Sequence, residues 1–193
     1  FINDGGQAKA EPDPKNIRRI LIMAMDSFWN EPNVEPKRKF RWILSVGDSD
    51  IPAWVIKKVT KPTFTVSEVK HSFINHSFYY PGRVEYNEIE FTLVDPVDPD
   101  MAASLLDIIK GSGYELPETF AVAKQTITKG EAVSRLNHCY IQQIDHEANI
   151  IEQWDLINAW VKEVNFGDLD YDSDDINEIT VKMRYDFAKM SIP

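Results

Sequence analysis

From Lys37 onward, hydrophobic residues recur at every second position over much of the chain. In KFRWILSV, Phe40, Trp42, Leu44 and Val46 alternate with Arg41, Ile43 and Ser45, the period of a strand with one buried face. IPAWVIKKVT predicts a second strand whose start is delayed by Pro52. The stretch KPTFTVSEVKHSFINHSFYYPGRVEY alternates loosely and is rich in aromatics, Thr, Ser and Val, so it predicts an extended hairpin reaching away from the core. NEIEFTLVD is a clean strand, with Ile89, Phe91 and Leu93 opposite Glu88, Glu90 and Thr92. HCYIQQID, IIEQWDLINAWVKEVNF and INEITVKMRYDFAKM predict the remaining strands. In the last, Ile179, Val181, Met183, Tyr185 and Phe187 form one alternating row.

The period changes to that of a helix in two places. Asp13 and Pro14 open a segment in which Ile17, Ile20, Leu21, Ala24 and Phe28 share a face, and Pro32 closes it. The pattern predicts an amphipathic helix, and the polar, Gly-containing stretch of about twelve residues before it reads as a flexible lead-in. The second helix is DPDMAASLLDIIKGSG: Asp98 caps, Pro99 sits in the first turn, Met101, Leu105 and Ile109 stack, and Gly111 ends it. Residues 112–136 read as a surface insertion with a short helix around Thr119–Gln125. The organisation expected is an N-terminal extension, 1–36, and a domain, 37–193. That domain is mainly β: an antiparallel sandwich or small barrel with one embedded α-helix and an extended hairpin.

Composition narrows the class. Five Trp, seven Tyr and ten Phe in 193 residues argue against disorder. A net charge of −10 repels phosphate backbones and excludes tight wrapping of nucleic acid. A single cysteine, Cys139, cannot form an internal disulfide, which fits a reducing compartment. The longest apolar run, ILIMAM, is too short to span a bilayer, and no secretory signal is visible.

Candidate chemistry is sparse. GDLDYDSDDINE (Gly167–Glu178) places Asp168, Asp170 and Asp172 at positions 1, 3 and 5 of a calcium loop. Position 6 is Ser173 instead of glycine, Glu178 falls one residue early, and the flanks are strands. An Asp-rich turn before a strand is the simpler reading, with the three aspartates kept as metal candidates. His71, His76, His138 and His146 show no metal-ligand spacing. No nucleophile elbow, phosphate loop or dinucleotide fingerprint occurs, so no enzyme and no cofactor are expected. PKRKFR (Pro36–Arg41) is a short basic cluster suited to an acidic face of another copy. Long exposed edges without a reactive site point to an assembly protein.

The order of pieces resembles the tail tube protein family of contractile-tailed bacteriophages. The most specific part is the run W-x-L-x-x-A-x-x-x-x-V-x-F-G-D-L-D-Y-x-x-D-D, Trp154 to Asp175, before EITVKMRYD, Glu178 to Asp186. The resemblance spans about Lys37 to Met190 apart from the insertion. It implies six-fold rings stacked into a hollow tube inside a contractile sheath, an architecture shared by the type VI secretion tube. It implies self-association, sheath and baseplate partners, and DNA passing through the lumen without specific binding. The location implied is the virion tail, assembled in the host bacterial cytoplasm. Strands would join between subunits into an inner barrel, with Trp42, Val181, Met183 and Tyr185 at the strand-pairing interface. The hairpin would reach the adjacent ring through Lys61, Phe64, Val66, Val69, Phe73, Phe78, Tyr79 and Tyr80. An acidic lumen would keep DNA from sticking, and the five aspartates would suit a neighbouring subunit or sheath surface of opposite charge. Two alternatives are a tube-initiating baseplate protein of the same fold and, in a different class, a calcium-binding β domain.

Overall fold

The computed structural model describes residues 35–47, 49, 51–115, 117 and 126–193. The amphipathic helix expected between residues 13 and 32 and the short helix expected at 119–125 lie outside the described residues. Lys39–Pro193 forms a compact unit. Its strands are β1 (Trp42–Val46), β2 (Ile56–Val59), β3 (Phe64–Phe73), β4 (His76–Tyr86), β5 (Ile89–Val94), β6 (Cys139–Ile144), β7 (Ile150–Ile157), β8 (Trp160–Asn165), β9 (Glu178–Arg184) and β10 (Phe187–Ser191). Two helices, α1 (Met101–Gly111) and α2 (Lys129–Leu136), are described between β5 and β6.

Two four-stranded antiparallel sheets carry the core, one in the order β1-β6-β7-β10 and the other β2-β5-β9-β8. Strands β5, β6 and β9 lie inside their sheets, and each alternates buried with half-buried positions, as the two-residue period requires. Ile89 pairs with Met183, Phe91 with Val181 and Leu93 with Ile179, and all six side chains are closed to water. Leu44, Val46, Cys139, Ile141 and Leu156 of the other sheet complete the same apolar cluster. Each such side chain contributes roughly 1.5–3 kcal/mol by leaving water.

The helix cap falls two residues later than the sequence predicts. Asp100, not Asp98, accepts the Ala103 N–H at 2.9 Å. This frame buries Met101, Leu105 and Ile108, and leaves Ile109 half-buried. A second helix, α2, stands at the end of the expected insertion, several residues beyond the short helix that the sequence predicts at 119–125. Thr128 accepts the Glu131 N–H at 3.3 Å and donates to the Glu131 carboxylate at 2.9 Å, closing the N-terminus of α2.

The last alternating row is not one strand. It stops at Tyr185, and Asp186 turns the chain across to the other sheet, where β10 pairs with β7. Phe187 therefore points outward and Ala188 inward. The corner is fastened by Asp186: its N–H donates to Ile157 C=O at 3.0 Å, and its carboxylate accepts from Lys129 Nζ and Asn158 Nδ2, each at 2.7 Å.

The register also fixes two ends of the second sheet. β2 leads into the β3–β4 hairpin beside Ile89 and Met183, whereas the 166–177 loop joins β8 to β9 beside Val94 and Glu178. The seven residues of β9 separate these ends by about 20 Å.

Candidate assembly surface

Among the described residues, strands β3 and β4 pair only with each other. Every residue from Phe64 to Glu85 is exposed, although the ribbon carries Phe64, Val66, Val69, Phe73, Ile74, Phe78, Tyr79, Tyr80 and Val84. A lone two-stranded ribbon is marginal in water, and one about 30 Å long with this composition is built to be covered.

Its two faces differ along its length. Near the root, the pairs Phe64–Tyr86 and Val66–Val84 share one face. The rings of Phe64 and Tyr86 lie 5.9 Å apart, and Tyr86 meets buried Tyr185 edge-on at 5.9 Å, so this face joins the protein's own core. A bulge then places Gly82 and Arg83 against Ser67, whose hydroxyl accepts the Arg83 N–H at 2.8 Å. Beyond it, the pairs Val69–Tyr80, His71–Phe78 and Phe73–His76 occupy the opposite face. The root-side face turns polar there, with Glu68–Pro81, Lys70–Tyr79 and Ser72–Ser77. At the tip, Ile74 has a φ of 52°, a left-handed conformation that a β-branched side chain adopts at a cost of about 1–3 kcal/mol.

The root is pinned by a polar cluster. Lys61 Nζ donates to Glu152 at 2.5 Å and to Gln143 at 2.8 Å, and the Trp154 indole N–H donates to the same Glu152 oxygen at 2.5 Å. Thr60 accepts the Glu90 N–H at 2.8 Å, and Asn87 Nδ2 donates to Thr63 at 3.1 Å. Lys61 thus holds the hairpin to the other sheet from the hairpin's base. Tyr185 closes the base from below. Among the described residues its hydroxyl meets only the Thr63 backbone, outside good hydrogen-bond geometry, and burial raises its pKa above the ordinary phenol value.

The residues expected at a strand-pairing interface separate into two groups. Trp42 lies half-buried on β1, an edge strand. Val181, Met183 and Tyr185 have their side chains in the core, and β9 already has β5 and β8 as neighbours. In this copy their side chains lie in its interior, and among the described residues the edges of the two four-stranded sheets are β1, β10, β2 and β8, with β3 and β4 each open on the side away from the other. Trp54, Ile74 and Val84 are exposed apolar residues that sequence reasoning did not single out, and Phe40, expected on the buried row of the first strand, precedes β1 and is exposed.

Asp168, Asp170 and Asp172 do not converge. Among the described residues no group of three His, Cys, Asp or Glu side chains is arranged to hold a metal ion. Asp170 instead accepts the Asp172 N–H at 3.0 Å, and Ser173 donates to Asp175 at 3.0 Å, bonds that fold the turn onto itself. Gly167, at φ 81°, starts the turn. Asp95 accepts from Met101 N–H and Asn177 Nδ2, joining the base of the loop to the start of α1. Leu169, Tyr171 and Ile176 stand out from this loop, and Leu169 and Ile176 share a groove with Lys57, which pairs with Glu178. Lys57 also borders a shallow groove lined by Phe40, Trp42 and Trp54.

Neither outward sheet face is acidic. On the β2-β5-β9-β8 side, Lys58, Lys162, Lys182 and Arg184 alternate with Glu88, Glu90, Glu163 and Glu178, with ion pairs Lys162–Glu88 and Lys182–Glu163. Glu88 is held below the ordinary carboxylate range, first by the Lys162 hydrogen bond. On the other sheet, a ladder of Gln142, Gln153 and Asp155 is hydrogen-bonded at 2.7 and 2.8 Å, and Lys189 sits opposite Asp155. The described negative charge gathers at the 166–178 end instead.

No family model matches the sequence, and no curated protein matches it. Solved structures do share the fold. A chain in the cryo-EM structure of the anti-feeding prophage tube-terminating cap aligns over 83% of this chain and 93% of its own length, at 13% identity and a TM-score of 0.60. A chain in the PVC sheath/tube terminator of an extracellular contractile injection system, in the extended state, aligns over 82% and 99%, at 17% identity and a TM-score of 0.60. A chain in the PVC sheath-tube complex aligns over 82% and 93%, at 19% identity and a TM-score of 0.56. The antiparallel sandwich is therefore the fold found in these tube assemblies.

Proposed function

We propose that this chain is a structural subunit of the inner tube of a contractile tail. Copies close side by side into six-membered rings, rings stack into a hollow tube inside a sheath and on a baseplate, and phage DNA passes through the lumen. The observation that carries this reading is the apolar hairpin, held rigidly at its root and uncovered along its length, on a fold shared with tube assemblies. Such a ribbon is accounted for by burial in a polymer. Short open edges at β1, β10, β2 and β8 offer strand addition between neighbours in a ring, with Trp42 at one of them. The residues of the ribbon, from Phe64 to Tyr80, offer the contact between rings. If either sheet face lines the lumen, the wall is charge-balanced, and passage without sticking follows from the lack of excess cations.

A second reading, a subunit that ends the tube, is favoured by the cap and terminator structures among the similar folds. Electron microscopy of the purified chain across a concentration series, with and without chelator, tests both. Stacked rings or tubes, unchanged by chelator, are expected of the repeating subunit. Single rings at every concentration would replace it with the tube-end reading. A monomer that loosens on chelation would replace both with a calcium-binding domain.

A further inference from the structure

The far half of the ribbon carries two of the chain's four histidines, and both lie on its apolar face. His71 pairs with Phe78 and His76 with Phe73, and Val69–Tyr80 is the next pair toward the root. The two histidines are thus diagonal neighbours across the strands, with backbones about 7–8 Å apart. Both residues are exposed.

The charged groups around them offer no close counter-ion. On the same face, Arg83 lies nearer the root and carries the same sign as a protonated imidazole. Glu85, opposite Thr65, stands six residues' rise from His71, about 20 Å along the strand. That exceeds the screening length of about 8 Å in physiological salt. Glu68 and Lys70 occupy the reverse face of the ribbon. Among the described residues β3 and β4 pair only with each other, so no third strand brings a carboxylate to this end. The other two histidines differ: His138 and His146 lie 3.4 and 3.8 Å from Asp155 and Glu147, where protonation completes an ion pair.

We infer that His71 and His76 make the ribbon's contact between rings acid-sensitive: the hairpin docks with both imidazoles neutral, and their protonation releases it. The inference rests on the tube reading and adds to it a regulation of that contact. An imidazole in water takes up a proton near pH 6.5, and an apolar contact admits the neutral form far more readily than the cation. Two cations at diagonal positions also repel each other. An imidazole that must enter the contact neutral weakens association by about 1.1-fold at pH 7.5 and about 11-fold at pH 5.5, so two of them weaken it about 100-fold over that interval. Overall charge predicts the opposite trend. The chain carries −10 at neutral pH, so gaining protons eases repulsion between copies. Carboxylates titrate near pH 4 in water, below this interval.

The test uses the full chain in buffer containing chelator, with sedimentation velocity and electron microscopy over a concentration series at pH 7.5, 6.5 and 5.5. The concentration needed for stacking should rise by about 10-fold to about 100-fold between pH 7.5 and 5.5, and recover on return to pH 7.5. H71Q/H76Q, polar but neutral throughout, should stack at pH 7.5 within about three-fold of wild type and change less than about two-fold with pH. H71K/H76K, charged throughout, should stack poorly even at pH 7.5. Far-UV circular dichroism at each pH checks that the variants fold. If H71Q/H76Q loses stacking in acid as wild type does, the sensor lies elsewhere, and the inference falls while the tube reading stands. Stacking that strengthens in acid would mean that the imidazoles meet carboxylates, and would overturn the inference. So would an acid-induced drop in the monomer's unfolding midpoint that H71Q/H76Q abolishes, since the chain's own residues would then cover this face. A wild type that stacks at no pH defeats both the inference and the tube reading.

Discussion

Replacing Lys61 with Met removes one cation from the root of the hairpin. The Glu152 side chain it contacts is 8% exposed, while the Lys61 side chain is 47% exposed. Breaking a fully buried pair costs about 3–5 kcal/mol, because the remaining charge loses its partner in a poor solvent. Here water reaches the lysine side, and Glu152 retains the Trp154 indole N–H, so the expected loss is about 1–2 kcal/mol. Glu152→Gln in the Lys61→Met background should recover about 1 kcal/mol, because the stranded charge is gone. Urea unfolding followed by tryptophan fluorescence gives these values, at a concentration where the chain sediments as a monomer. Hydrogen exchange localises the effect, and hairpin amides should open more readily than those of β5 and β9. A Lys61→Met variant within about 0.3 kcal/mol of wild type, with unchanged hairpin exchange, would show the pair to be an ordinary surface contact and refute the reasoning.

Three further outcomes follow from the same geometry. Asp186 is held below the ordinary carboxylate range, first by the Lys129 hydrogen bond and then by that of Asn158. A depressed carboxyl stabilises the fold above the ordinary Asp pKa of about 4 and loses that contribution as pH falls through its lowered value. Unfolding midpoints between pH 6 and 2 should therefore drop more for wild type than for Asp186→Asn, by under about 1 kcal/mol because the site is partly solvated. Gly47→Ala should destabilise by about 2–4 kcal/mol in thermal unfolding, since φ is 55° and the added Cβ would overlap the Leu136 carbonyl. Tyr185→Phe removes a buried hydroxyl that has no good partner, so denaturant titration should show it neutral or stabilised by up to about 1 kcal/mol.

The core was legible in the sequence because β5 and β9 obey a two-residue period with few exceptions, and period is what burial on one face writes into a strand. Period does not say what does the burying. Val181, Met183 and Tyr185 look the same whether a neighbour or the chain's own second sheet covers them. It is equally blind to a change of sheet, so the row running on to Phe187 hides the corner at Asp186. Helix α1 was found, but Asp98 and Asp100 are both plausible caps, and only the burial of Ile108 in place of Ile109 separates them. Helix α2 was missed because Gly130 sits in its first turn, although Thr128 and Glu131 form a capping pair. The change of face along the hairpin was present as a slip from Val66 to Val69. The Lys61–Glu152 contact joins residues 91 apart and leaves no local trace.

A subunit whose two ends differ has no natural stopping point. Each addition to a stack would present the same hairpin at one end and the same acidic surface at the other, so the free energy of the next step does not depend on how many came before. Nothing in such a contact counts. The length of a polymer built this way would have to be set from outside, by a measuring partner or by a capping subunit whose outer end lacks one of the two surfaces.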